Sequence, residues 1–198
     1  MVWLEVETKI ILDDSQVEGL RNKIRKIAKF AKSGKKVDDY FARRRRIKRL
    51  YPKKAFRIRA TKDEFEVNFK KHLKKLWTKD IVVKQEFEFK LKGENEVKDL
   101  LALFKDLGFR EWVQKTKWNE TYSYNKDKRL SIEMNRVKHL GWFIEMEYLC
   151  ERKDLEKARE KIREAMKILG IPPEQIDNTG YTKMLWYKGV FDKRYFID

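Results

Sequence analysis

Apolar and polar positions alternate along most of the chain with a period of two, the spacing of a strand. In Leu4–Leu12, LEVETKIIL, the residues Leu4, Val6, Thr8, Ile10 and Leu12 share one face, and Glu5, Glu7 and Lys9 share the other. The alternation returns over residues 36–41, 55–60, 65–71, 81–92, 130–137 and 142–149, and in two pieces within 110–124. Three stretches replace it with helical spacing. After Asp13, Asp14 and Ser15, the residues Val17, Leu20, Ile24, Ile27, Ala28 and Ala31 recur until Gly34. Val97, Leu100, Leu101 and Phe104 form a second stripe that Gly108 stops, and Leu155, Ala158, Ile162, Ala165, Met166 and Leu169 a third that ends at Gly170, with Pro172 and Pro173 beyond it. Many strands and few helices predict an α+β protein whose antiparallel sheet closes on itself. No Gly- or Ser-rich linker and no repeat divides it, so residues 1–198 read as a single domain.

The polar faces are sorted by sign. Arg57 and Arg59 share one face of FRIR, Asn68 and Lys70 one of VNFK, and Lys115 and Lys117 one of QKTKW. Acids gather elsewhere: Glu86 and Glu88 with Lys84 in KQEFEF, Glu133 with Asn135 in SIEMN, and Glu145 with Glu147 in WFIEMEY. A solvated outer face has no need of this sorting. In a closed sheet the charged face becomes the lumen, and the apolar face is covered by the helices. Lys9, Arg57, Arg59, Lys70, Lys115 and Lys117 then stand against Glu5, Glu7, Glu86, Glu88, Glu133, Glu145 and Glu147, an interior close to neutral. A ligand of charge about −4, such as a triphosphate, needs divalent cations beside it there, because buried unpaired charge is costly.

Composition narrows the chemistry. Lys and Arg number 49 against 32 Asp and Glu, a formal charge of +17 that favours polyanionic partners. A single cysteine, Cys150, excludes an internal disulfide framework and points to a reducing cytoplasm. With His72 and His139 the only histidines, carboxylates are the available metal ligands, which suits Mg2+ or Mn2+. No apolar run reaches the roughly 18 residues of a membrane span, so no membrane partner is expected. Residues 43–54, RRRRIKRLYPKK, read as a loop whose Arg43, Arg44, Arg45 and Arg46 form an anion patch able to recruit a 5′-triphosphate RNA or another polyanion. Trp77, Trp112, Trp118, Trp142 and Trp186 are expected to pack in the core or the barrel wall, Cys150 to be a buried hydrophobe, and Tyr181 to pack beside a Lys183 within reach of phosphate.

The ordered set EVETK, DDYF, FRIR, NFK, KQEFE, LGF at 107–109, KTK, NRVKHLGWFIEME and GYTKML resembles the CYTH superfamily, the triphosphate tunnel metalloenzymes, over nearly the whole chain. The layout is most similar to the branch of class IV adenylyl cyclases and thiamine triphosphatases. That resemblance implies an eight-stranded antiparallel β-barrel flanked by about three helices, which binds a nucleoside or other triphosphate with Mg2+ or Mn2+ and hydrolyses or cyclises it. It assigns Glu5, Glu7, Glu145 and Glu147 to metal, and Lys9, Arg57, Arg59, Lys70 and Lys117 to phosphate with Lys115 beside them; Glu5, Glu7 and Lys9 are the catalytic set. Lys117 and Lys84 stand where relatives often have Arg, which keeps charge and loses the bidentate fork. Asn135 stands where relatives usually carry Asp, and Glu133, on the same face, is the acid placed to replace it as a metal ligand. Two other readings fit the charge: a triphosphate binder without turnover, and a basic nucleic-acid-binding module. Monomer and homodimer both remain open.

Overall fold

A computed structural model describes residues 3–43, 51–52, 55–60 and 64–195. Its strands are β1 Leu4–Leu12, β2 Ala28–Arg43, β3 Ala55–Ala60, β4 Phe65–His72, β5 Val82–Leu91, β6 Phe109–Tyr124, β7 Leu130–Val137 and β8 Gly141–Cys150. The helices are α1 Val17–Ile27, α2 Glu94–Asp106, α3 Leu155–Leu169 and α4 Tyr181–Tyr187. The eight strands close into a barrel in the order β1-β5-β4-β3-β2-β6-β7-β8. None of the described helices is long and apolar enough to cross a membrane.

Two compact units make up the chain, and each has its own core. The first comprises Met1–Gly34, Lys71–Glu86 and Trp118–Asn178. There Leu4, Val6 and Ile10 of β1, with Ile132 of β7 and Ile144 of β8, pack against Ile24 of α1 and Ile162 of α3, all at most 2 % exposed. The helical stripes cover the apolar strand face, which leaves Glu5, Glu7 and Lys9 on the inner one. The second unit comprises Lys35–Lys70, Phe87–Lys117 and Thr179–Asp198. Phe41, Phe56, Ile58 and Val67 meet Val97 and Leu101 of α2, and the Phe41 and Phe56 rings stack at 5.2 Å.

Three element boundaries differ from the sequence expectation. The first helix ends at Ile27 rather than running past Ala31, and Ala28 opens the sixteen-residue β2 in extended conformation. Ala28 is buried, and Phe30, two residues on, meets Tyr122 of β6 edge to face at 5.7 Å. A pairing partner distant in sequence overrides the helix preference of alanine. Gly34 accordingly lies within β2, whereas Gly170 does cap α3, at φ 68° in the left-handed region that glycine tolerates. Residues 109–124 form one continuous strand, not two pieces. The seven-residue α4 is too short to show a helical period, and was not expected.

Candidate functional site

In the first unit, antiparallel pairing lines the acids up in rows. Glu7 lies opposite Glu147, and Lys9 opposite Glu145, which in turn faces Glu133 of β7. Register puts directly opposed residues on one face, so this set shares the inner face. Carboxylate oxygens of Glu5, Glu7 and Glu147 all lie within 4.8 Å of one another, with Glu5 buried and the other two half-buried. Lys84 of β5 forms an ion pair with Glu7. The neighbouring row is held by hydrogen bonds. Asn135 Nδ2 donates to Glu145 Oε2 at 2.8 Å, and the Thr121 hydroxyl donates to Glu133 Oε1 at 3.2 Å. Asn135 is 0 % exposed, and its Oδ1 has no hydrogen-bond partner.

Lys9 is anchored through its backbone, whose N–H donates to Asn178 Oδ1 and whose carbonyl accepts from Asp177 N–H, both at 2.9 Å. Burial lowers its ammonium to a pKa of about 8 against the upward pull of Glu145, Asp177 and Glu7.

The second unit holds the cations. Strands β2, β3 and β4 set Asp38, Arg59 and Glu66 in one row and Tyr40, Arg57 and Asn68 in another. Asp38 is 0 % exposed. It accepts from Arg59 Nε at 2.6 Å and from Arg59 NH2 at 3.1 Å, pairs with Lys115 Nζ at 2.7 Å, and lies 3.6 Å from Arg57 NH1. Burial pushes the Asp38 carboxyl upward, but Lys115, Arg57 and Arg59 together outweigh it and hold the group well below the usual carboxylate range. Lys115 Nζ sits 5.8 Å from the Tyr40 ring centroid and 5.3 Å from that of Tyr181. Lys117 is buried and Lys70 half-buried. Asp39 turns to the opposite face, where it accepts from Gln114 Nε2 at 2.8 Å and Arg194 NH2 at 2.9 Å.

A family model described as the CYTH domain matches residues 4–181. The chain belongs to the CYTH family. Among solved structures it is similar to a conserved hypothetical protein of Pyrococcus furiosus, at 25 % identity and TM-score 0.71 over 90 % of this chain and 98 % of that one. It is also similar to a candidate adenylate cyclase of Vibrio parahaemolyticus, at 13 % identity and TM-score 0.70 over 93 % and 99 %. A Hippeastrum adenylyl cyclase candidate, whose structure is described as revealing a dominant triphosphatase activity, matches at 13 % identity and TM-score 0.66 over 96 % and 97 %. At 13 % the likeness is one of fold. A comparison with curated proteins yields no match.

The CYTH family binds triphosphates and is metal-dependent in general. The donor set here fits a hard divalent ion. Glu5, Glu7 and Glu147 offer only oxygen, and with Lys84 alongside the local charge is two negative, which one divalent cation balances.

The remaining expectations fall on both sides. Cys150 and Tyr181 are buried, as expected; Trp118 is 45 % exposed rather than buried. Its side chain follows the buried pair Lys115 and Lys117 in an alternating strand, so the period sends it outward. Glu88 is exposed, while Lys183 points its ammonium over the Tyr187 ring at 5.5 Å. Arg43 is exposed, and Arg44, Arg45 and Arg46 lie outside the described residues. Asp38 is the residue that sequence reasoning missed. It appeared only as a letter of DDYF, and its place opposite Arg59 is set by the pairing of β2 with β3.

Proposed function

We propose that this CYTH protein binds a triphosphate together with Mg2+ or Mn2+ and cleaves one of its phosphoanhydride bonds. The observation that carries the reading is the convergence of Glu5, Glu7 and Glu147 on one face of the sheet, three oxygen donors close enough to share one cation, which would relieve their mutual repulsion. Those residues would hold the ion, with Glu145 and Glu133 the acids of the adjoining row. A divalent cation supplies Lewis-acid polarisation of phosphoryl oxygens. Arg57, Arg59, Lys115, Lys117 and Lys70 bind the phosphate chain and stabilise the charge that develops as the bond breaks. Lys9, with its pKa near 8, donates a hydrogen bond as an ammonium and can release that proton close to neutrality. When water attacks the terminal phosphorus, orthophosphate and a diphosphate leave. When a ribose 3′ hydroxyl attacks the innermost phosphorus of ATP, cyclic AMP and pyrophosphate leave.

The test is an assay of the purified protein on ATP, tripolyphosphate, thiamine triphosphate and triphosphate RNA, with Mg2+, with Mn2+ and with chelator. Metal-dependent release of orthophosphate or pyrophosphate is expected. Silence on all four substrates, with nucleic acid bound regardless of metal, would leave the chain as a basic binding module. A second expectation concerns the arginines: Arg59→Ala should weaken tripolyphosphate binding measured by calorimetry by about 1.5–3 kcal/mol, the worth of one charge-assisted contact. Unchanged affinity would mean that Arg59 does not meet phosphate.

A further inference from the structure

Inside the second unit, three cations converge on a single carboxylate. Asp38 has no solvent exposure, and Lys115 and Arg57 are 4 % and 8 % exposed. Cations at this depth repel one another and lose hydration, and each costs several kcal/mol unless a counter-ion answers it. Asp38 answers all three, but unequally. Arg59 gives it the Nε and NH2 edge of its guanidinium, in a two-bond fork that fixes the plane of the group. Lys115 gives a single bond at 2.7 Å, and Arg57 approaches at 3.6 Å while its other amino group lies 3.8 Å from Glu66 Oε1. With Glu66 counted beside Asp38, two acids against three bases leave the group one positive, so it is held in place by Asp38 without being discharged by it.

We infer that Asp38 is the positioning residue of this cation cluster: its carboxylate aims Arg57, Arg59 and Lys115 at the phosphate chain, and touches no phosphate itself. The inference rests on the triphosphate reading above. Its consequence has a sign that charge alone does not give. An Asp38→Asn variant adds one positive charge to the site, which attracts polyanions more strongly in the ground state. The same change removes one of the two oxygens that lock Arg59 and frees Lys115 to move, so the contacts that must tighten as the bond breaks are no longer pre-aligned. Ground-state binding therefore improves while turnover falls.

Steady-state kinetics of wild type and Asp38→Asn on the best triphosphate, at saturating Mg2+ or Mn2+, read the split. The expected result is a kcat lower by about tenfold or more with a KM below that of wild type. A kcat within about twofold of wild type overturns the inference, as does a raised KM with kcat retained. A merely structural role would lower the melting temperature and the active fraction without lowering KM. Where Asp38→Asn does not fold, Asp38→Glu keeps the charge and displaces the carboxylate by one methylene. It should then lose kcat at unchanged KM and near-unchanged melting temperature, and full kcat in it overturns the proposal. Failure of the triphosphate reading looks different, since wild type itself would then be inactive.

Discussion

Replacing Glu5 with Gln is expected to abolish metal-dependent turnover, with a loss of about 100-fold or more, while the protein stays folded. Glu5 is 1 % exposed, and its carboxylate oxygen stands within 4.8 Å of those of Glu7 and Glu147. Glutamine keeps the shape of the side chain and removes one of three mutually repelling charges, so the variant should remain folded in chelator. Ligand strength runs the other way, because a neutral amide is a far poorer donor than a carboxylate to Mg2+ and even outer-sphere changes at metal sites cost about 10–100-fold. Glu7→Gln should lose as much activity but behave differently in stability, since it also takes the carboxylate from Lys84. Turnover titrated against Mn2+, with thermal melts in chelator, separates the two effects. Full activity in both variants would sink the assignment of metal to this trio.

Asn135→Asp should make stability itself depend on metal. The Asn135 amide donates to Glu145 at 2.8 Å from a fully buried position. A carboxylate there removes the donor and sets two acids in contact, a loss of about 1–3 kcal/mol that lowers the melting temperature in chelator by about 2 °C or more. Mn2+ should restore it, because a carboxylate at 135 is a stronger oxygen ligand than the amide, whose Oδ1 now has no partner. The rise on adding Mn2+ should thus be larger in the variant than in wild type, and activity at limiting metal should be higher. Equal rises in both proteins would remove position 135 from the metal environment. If only Glu133→Gln then changes the metal dependence, the ligand role belongs to Glu133.

Much of this protein was legible from its residues because strand alternation is a local property. Leu4 to Leu12 assigns its two faces by a period of two, and the same rule sorted Arg57 from Ile58 and Glu145 from Ile144 without knowledge of any partner strand. Helix stripes and the glycine at 170 were equally local, as was the order of motifs that resembles the CYTH family. What lay beyond reach required pairing across long separations. The end of α1 at Ile27 depends on Phe30 finding Tyr122, ninety-odd residues away, and helix propensity cannot register that contact. The grouping of Glu147 with Glu5 and Glu7, apart from Glu145 and Glu133, came from the register of β1 on β8, and a one-residue slip would have turned both β8 carboxylates to the other face. Asp38 is the clearest case. As one of two adjacent aspartates its sequence context is symmetrical with that of Asp39, yet alternation sends one to Arg59 and Lys115 and the other to Gln114 and Arg194. Which acid would meet the cations was decided by the face that folding turned inward, because a buried carboxylate is stable only where its counter-charges are already in place.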